Sequence, residues 1–122
     1  MVTDIFIGDI PLVDGVIQQV ILLPEQVKIY FQTEQGISII FSLEQVAAVW
    51  DRRSAGQEIG GMRTVPWSRT EAPIRDYLLA QVEQGELSEE WLSSLSMYSF
   101  VSSWGDHSIL DIVASEIRTQ RQ

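Results

Sequence analysis

The chain has 122 residues, of which 45% are hydrophobic and 20% are charged, and it contains no cysteine. This length suits one domain with one core, and the lack of cysteine excludes disulfide scaffolds, zinc fingers, iron–sulfur clusters and thiolate nucleophiles. Seventeen acidic against eight basic residues give a net charge of −9. Because nucleic acids and anionic membranes require a basic surface, neither is expected as a partner.

Nothing in the sequence predicts a membrane segment or an export signal. No apolar run approaches the roughly 20 residues that span a bilayer. Residues 1–8 carry no Lys or Arg ahead of their apolar side chains, unlike a secretory signal. We therefore expect a cytoplasmic protein that forms a single domain over residues 1–122.

The first fifty residues have the composition of β-strands. Residues 3–7, 16–23, 27–33 and 37–43 are rich in Val, Ile, Phe and Tyr, and short turn segments separate the last three of these runs. Val27, Ile29 and Phe31 alternate with polar or amphipathic residues, which places them on one face of a strand. The pattern predicts an antiparallel meander of about four strands, while residues 44–50 fit either a short helix or a further strand.

Residues 51–70 show no sustained apolar period and contain several glycines and arginines. A stretch of this length without secondary structure is uncommon inside a compact domain, and it indicates a functional loop, disorder or an unrecognised element. The unrecognised element that fits best is a hairpin around Gly60 and Gly61. We interpret the segment as a Gly/Arg-rich loop.

The remaining third has helical spacing. Thr70 is a candidate cap for a helix that runs to Gly85, and Ser88 followed by two acids predicts a second, shorter helix. A final amphipathic helix is expected over residues 108–120, with a strand as the alternative. The predicted fold class is therefore α+β, with an antiparallel N-terminal meander packed against C-terminal helices: residues 1–50 mostly β, 51–70 loop and 71–122 mostly helical.

Charge is distributed unevenly along the chain. The net charge is −6 for residues 1–51, +3 for 52–75, −8 for 76–116 and +2 for the tail. The five arginines of the positive segment are Arg52, Arg53, Arg63, Arg69 and Arg75. They either form a recognition surface together with Trp67, or pair with the protein's own acids and hold the loop in place. Trp67 is also the tryptophan that we expect to be an exception among otherwise buried tryptophans.

Motifs for catalysis or metal binding are weak. His107 is the only histidine; its neighbours Asp106 and Ser108 are adjacent in sequence and cannot converge as a triad, so we expect no enzyme. A calcium site would involve Asp9 and Asp14, yet their spacing does not match an EF-hand, and both residues suit turns. Residues 56–64 are glycine-rich but lack the ending of a phosphate-binding loop. We expect no cofactor and no resident metal.

These observations favour a small acidic, non-catalytic binding module of the inhibitor, immunity or adaptor type. Its partner would be a protein, basic in character, attracted by the carboxylates of residues 76–116. The residues expected at the contact are Arg52, Arg53, Arg63, Trp67, Arg69, Glu86, Glu89 and Glu90. One alternative is that the arginine-rich loop binds an anion or a nucleotide, and a second is calcium binding by clustered carboxylates.

Overall fold

The computed structural model describes residues 3–122, which form ten strands, one 3-10 helix and two short α-helices. In chain order these are β1 (Phe6–Ile7), β2 (Ile10–Pro11), β3 (Val16–Leu22), β4 (Gln26–Gln32), β5 (Ser38–Glu44), β6 (Ala48–Asp51), β7 (Ile59–Pro66), the 3-10 helix (Trp67–Arg69), α1 (Ile74–Glu83), α2 (Glu89–Leu92), β8 (Ser96–Ser102), β9 (Ser108–Ala114) and β10 (Glu116–Arg121).

The first sheet has the strand order β10-β5-β4-β3, and all its pairs are antiparallel. Val27, Ile29 and Phe31 of β4 are buried, whereas the residues between them are partly exposed, as the alternation predicts. Leu23 N–H donates to the Gln26 carbonyl (2.8 Å) in the tight turn between β3 and β4. The inner face of this sheet forms one side of the main core.

The second sheet has the order β6-β9-β8-β7 and is buried on both faces along its central strands. Phe100 of β8 packs towards the first sheet, where its ring lies 6.1 Å from Phe41, and Phe41 in turn lies 5.2 Å from Phe31. Val113 of β9 and Met97 of β8 pack instead against the helices on the opposite side. The molecule therefore has three layers: a sheet, a second sheet and a helical layer.

Two segments of the chain cross from one sheet to the other along one edge. The chain passes from β5 to β6 and from β9 to β10, so each of these two segments contributes a strand to both sheets. Ser115 holds the bend between β9 and β10, because its N–H and its hydroxyl both donate to the Glu44 carbonyl (2.9 and 3.0 Å). At the opposite edge Ile17 N–H donates to the Gln57 carbonyl (3.1 Å). The two sheets thus form a flattened barrel.

The helical layer covers one end of the outer face of the second sheet. Its buried residues are Trp67, Ile74, Leu78, Leu92 and Leu95. The Ser88 hydroxyl accepts a hydrogen bond from Trp91 N–H (3.3 Å), which confirms the predicted cap of α2. The predicted cap of α1 is wrong: Thr70 follows the 3-10 helix, and its hydroxyl donates to the Pro66 carbonyl (3.2 Å).

The predicted α+β fold, with a meander of about four strands on C-terminal helices, is wrong. Strands make up about half of the described chain and form three sheets, counting the small β1–β2 pair, while the two α-helices are short. The expected helix over 108–120 is β9 and β10. Val113 and Ile117 have helical spacing, but Val113 packs against the helical layer and Ile117 against the main core because the chain bends at Ser115. Residues 59–66 of the expected loop form β7.

Candidate functional site

The arginines of residues 52–75 are dispersed between the second sheet and the helical layer rather than grouped in one loop. Arg52 follows β6, and its guanidinium forms an ion pair with Asp111 of β9 and donates to the Ser108 hydroxyl (3.2 Å). The Asp111 side chain is 5% exposed. Arg52 is thus engaged by the protein's own acid, which was the second interpretation of these arginines.

Arg63 and Arg53 differ in their surroundings. Arg63 on β7 donates through Nε to the Thr3 hydroxyl (3.3 Å) and through Nη1 to the Asp106 carbonyl (3.1 Å), which ties the β8–β9 turn to the N-terminal segment. Arg53 lies in the turn after β6 with a φ of 58° and an exposed side chain. Its carbonyl accepts a hydrogen bond from Gln57 (2.6 Å). Neither guanidinium has a carboxylate partner within residues 3–122.

Trp67 is part of the core, whereas Trp104 is not. Trp67 is 5% exposed and packs in the cluster beneath α1, so the expected exception among the tryptophans is wrong. Trp104, in the β8–β9 turn, is 87% exposed and is the most exposed large apolar side chain that the structure describes. Proline and serine flank Trp67 and suggested a polar loop, but the adjacent β7 carries the side chain into the interior.

Arg69 and Arg75 border an open cleft on the protein surface. The cleft has a volume of about 820 Å³ and lies between the end of β7, the 3-10 helix and the start of α1. The guanidinium of Arg75 lies 5.3 Å from the centre of the Trp67 ring and donates to the Trp67 carbonyl (3.3 Å). The sequence showed the arginines but not this arrangement, because β7 was not recognised as the strand that supports it.

The carboxylates of the helical layer form a second candidate surface. Asp76, Glu83, Glu86, Glu89 and Glu90 are all exposed. The ion pairs of residues 3–122 are Arg52–Asp111, Arg118–Glu116 and Arg121–Asp9, and none involves this group. We call these five residues the acidic surface. Glu86 lies between α1 and α2, and Glu89 and Glu90 lie in α2, whereas Arg52 and Arg53 follow β6 and Arg63 lies on β7.

Aromatic side chains lie next to the acidic surface. Tyr77 of α1 is 52% exposed, and its ring meets Trp50 of β6 edge to face at 5.3 Å. Trp91 of α2 is partly exposed and packs on the cluster beneath the helices. Aromatic residues contribute large contact areas to protein interfaces, whereas isolated carboxylates contribute mainly to encounter. The surface therefore combines negative charge with accessible aromatic area.

The remaining candidates for chemistry lie apart. His107 is exposed in the β8–β9 turn. Asp9 is 84% exposed and its carboxylate lies 3.7 Å from Arg121, while Asp14 occupies a turn with a φ of 64°. Within residues 3–122, no group of three or more His, Asp or Glu side chains is arranged to hold a metal ion.

Tyr98 is a buried residue whose pKa departs from its ordinary value. Burial in the main core raises the pKa of its phenol above the ordinary value, and the nearby negative charge of Glu116 adds to the increase. At the surface, the hydrogen bond and charge of Glu116 raise the pKa of Arg118. Both effects involve Glu116 of β10, which is part of neither candidate surface.

Comparisons with known proteins leave the function open. No protein-family model, curated protein or solved structure matches this chain. Across residues 3–122, none of the helices has the length and apolarity that crossing a membrane would require.

Proposed function

We propose that this protein is a non-catalytic binding module whose acidic surface docks on a basic region of a protein partner. The observation that carries the proposal is that the five carboxylates of this surface are exposed and have no cation at ion-pairing distance within the described chain. No cationic side chain of residues 3–122 therefore neutralises them at close range. A partner with Lys or Arg at matching positions gains the interactions that the protein itself does not supply.

Charge of this kind acts mainly on the rate of association. Complementary potentials steer two proteins together and raise the association rate constant, and the effect falls steeply with ionic strength because salt screens exposed charges within about 10 Å at 0.1 M. The affinity of the complex then depends on buried aromatic contacts. Tyr77, half-exposed at the edge of the acidic surface, is the side chain best placed to supply such a contact.

Two of the arginines expected at the contact are already bonded to other groups of the protein. Arg52 is held by Asp111, and Arg63 by Thr3 and Asp106, on the second sheet. Trp67 is buried and offers a partner little surface. The proposal therefore rests on Glu86, Glu89 and Glu90 rather than on the arginines.

The experiment compares two triple variants in affinity capture from lysate. Glu86→Gln, Glu89→Gln and Glu90→Gln together remove three charges from the acidic surface. We expect the basic proteins captured by the wild type to be lost, and we expect wild-type capture to weaken as salt is added. A thermal melt verifies that the variant is folded, because Glu89 and Glu90 occupy the first turn of α2.

The matched control removes three charges elsewhere. Asp14→Asn, Glu34→Gln and Asp106→Asn change exposed residues in turns outside the helical layer, and none of these carboxylates forms an ion pair within residues 3–122. This variant has the same net charge as the first, and we expect it to capture the partner as the wild type does. Equal capture by both variants, or capture that salt does not affect, would contradict the proposal.

A further inference from the structure

The cleft of about 820 Å³ beside α1 has the dimensions of a small-molecule site. Among the described residues its wall includes Asp4, Thr64, Ser68, Arg69, Glu71 and Arg75. Thr64 lies near the end of β7, Ser68 and Arg69 lie in the 3-10 helix and Arg75 lies in the first turn of α1, whereas Asp4 and Glu71 lie outside these elements. Side chains on such elements hold their positions better than side chains on long loops.

We propose that this cleft binds a small organic anion that also carries hydroxyl or amino groups, and that Arg69 and Arg75 hold its carboxylate or phosphate. Neither arginine is at ion-pairing distance from a carboxylate within residues 3–122. A planar guanidinium binds the oxygens of a carboxylate or phosphate in pairs, through two parallel hydrogen bonds. Two such groups on one cleft match an anion rather than a neutral ligand.

Arg75 is oriented before any ligand binds. Its guanidinium lies over the Trp67 ring at 5.3 Å and donates one hydrogen bond to the Trp67 carbonyl (3.3 Å). Trp67 is itself fixed in the core. Five N–H donors are available on a guanidinium, so one bond to the protein leaves the others for a ligand. Holding the group in advance lowers the entropy cost of binding.

The other lining residues define the rest of the ligand. The hydroxyls of Thr64 and Ser68 are exposed and can donate or accept, whereas the Thr70 hydroxyl is already bonded to the Pro66 carbonyl. Asp4 and Glu71 balance the two arginines in charge. Carboxylates only accept hydrogen bonds, so they favour a ligand with hydroxyl or amino donors and disfavour one with several negative charges.

The test uses three probes with the same three-carbon skeleton: glycerol phosphate, glycerate and glycerol. Binding is followed by the shifts of the Trp67 indole N–H and the arginine Nε–H signals in proton–nitrogen spectra. We expect glycerol phosphate, glycerate or both to saturate these shifts at millimolar concentration, and glycerol to leave them unchanged. The stronger of the two acids then identifies phosphate or carboxylate as the group that the cleft prefers.

Two variants and a control locate the anion. Arg69→Gln removes one guanidinium and is expected to weaken binding by about tenfold or more. Arg69→Lys keeps the positive charge but lacks the planar guanidinium, and its affinity is expected to lie between those of Arg69→Gln and the wild type. Arg53→Gln removes an exposed arginine outside the cleft and is expected to bind as the wild type does. The proposal is overturned if neither acid saturates the signals, or if Arg69→Gln and Arg53→Gln bind equally well.

Discussion

Asp111 holds a carboxylate inside the second sheet next to a half-exposed guanidinium. Its side chain is 5% exposed, while that of Arg52 is 50% exposed. An unpaired carboxylate in such a place loses hydration without a compensating partner, and this penalty exceeds the net value of an exposed ion pair. The Arg118–Glu116 pair on β10 is the surface counterpart, because both of its side chains are well exposed.

Arg52→Ala is expected to lower the free energy of unfolding by about 1–3 kcal/mol, since it leaves Asp111 buried without its cation. The value lies below that for a fully buried pair because water reaches one side of Arg52. Arg118→Ala is expected to cost less than Arg52→Ala. Urea unfolding of the two variants checks the difference, and equal losses would show that Asp111 does not depend on Arg52.

Tyr98 predicts how stability changes at high pH. The pKa of the phenol is raised in the folded protein by burial and by Glu116, whereas in the unfolded chain it lies near its ordinary value of about 10. The contribution to stability is therefore full below pH 10 and is lost as the pH rises through the folded pKa. Unfolding of the wild type and Tyr98→Phe is compared from pH 8 upward. We expect the variant to lose less stability above about pH 10, and parallel curves would contradict the assignment.

At the scale of the elements, residues 16–44 were predictable and most of the later strands were not. Strands β4 and β5 have one face towards solvent, so the alternation of apolar and polar residues is visible in the sequence. Strands β8 and β9 are buried on both faces, between the first sheet and the helical layer, and alternation is therefore lost. For the candidate surfaces, the sequence supplied the charges, but which charges lie together depends on strand order.

The pairing of β10 leads to a prediction about proline. Gln122 N–H donates to the Ser38 carbonyl (3.0 Å), and the register places Gln120 opposite Ile40. Because hydrogen-bonded pairs alternate in antiparallel strands, the N–H of Gln120 points to β5 and that of Thr119 points away from it.

Gln120→Pro therefore removes a bond of the ladder and is expected to lower the free energy of unfolding by at least about 1 kcal/mol. Thr119→Pro removes an outward N–H and is expected to cost less. Chemical denaturation of both variants measures the difference. A larger loss for Thr119→Pro would indicate a different register.

At the scale of the whole molecule, the net charge of −9 is poorly compensated within the fold. The described residues form three ion pairs, and two of them lie on the surface between well-exposed side chains. Repulsion between unpaired carboxylates opposes the compact state, and salt screens it.

We expect sodium chloride to raise the midpoint of thermal unfolding between low ionic strength and about 0.5 M, because the screening length shortens over this range. The variant with Glu86→Gln, Glu89→Gln and Glu90→Gln should respond less than the wild type, since it has less repulsion to screen. A midpoint that falls with added salt would show that attractive surface pairs outweigh the repulsion. Potassium chloride serves as a check on ion-specific effects.

Because β10 belongs to the first sheet, the order of synthesis differs from the order of assembly. Strands β3 to β5 are translated early, yet β5 receives its second neighbour only when residues 116–121 have been made. Phe31 and Phe41 are likewise buried only after β8 and β9 have been made. The apolar face of β3 to β5 is therefore uncovered until the later strands have been made, and uncovered apolar sheets of this kind are prone to aggregate before folding is complete.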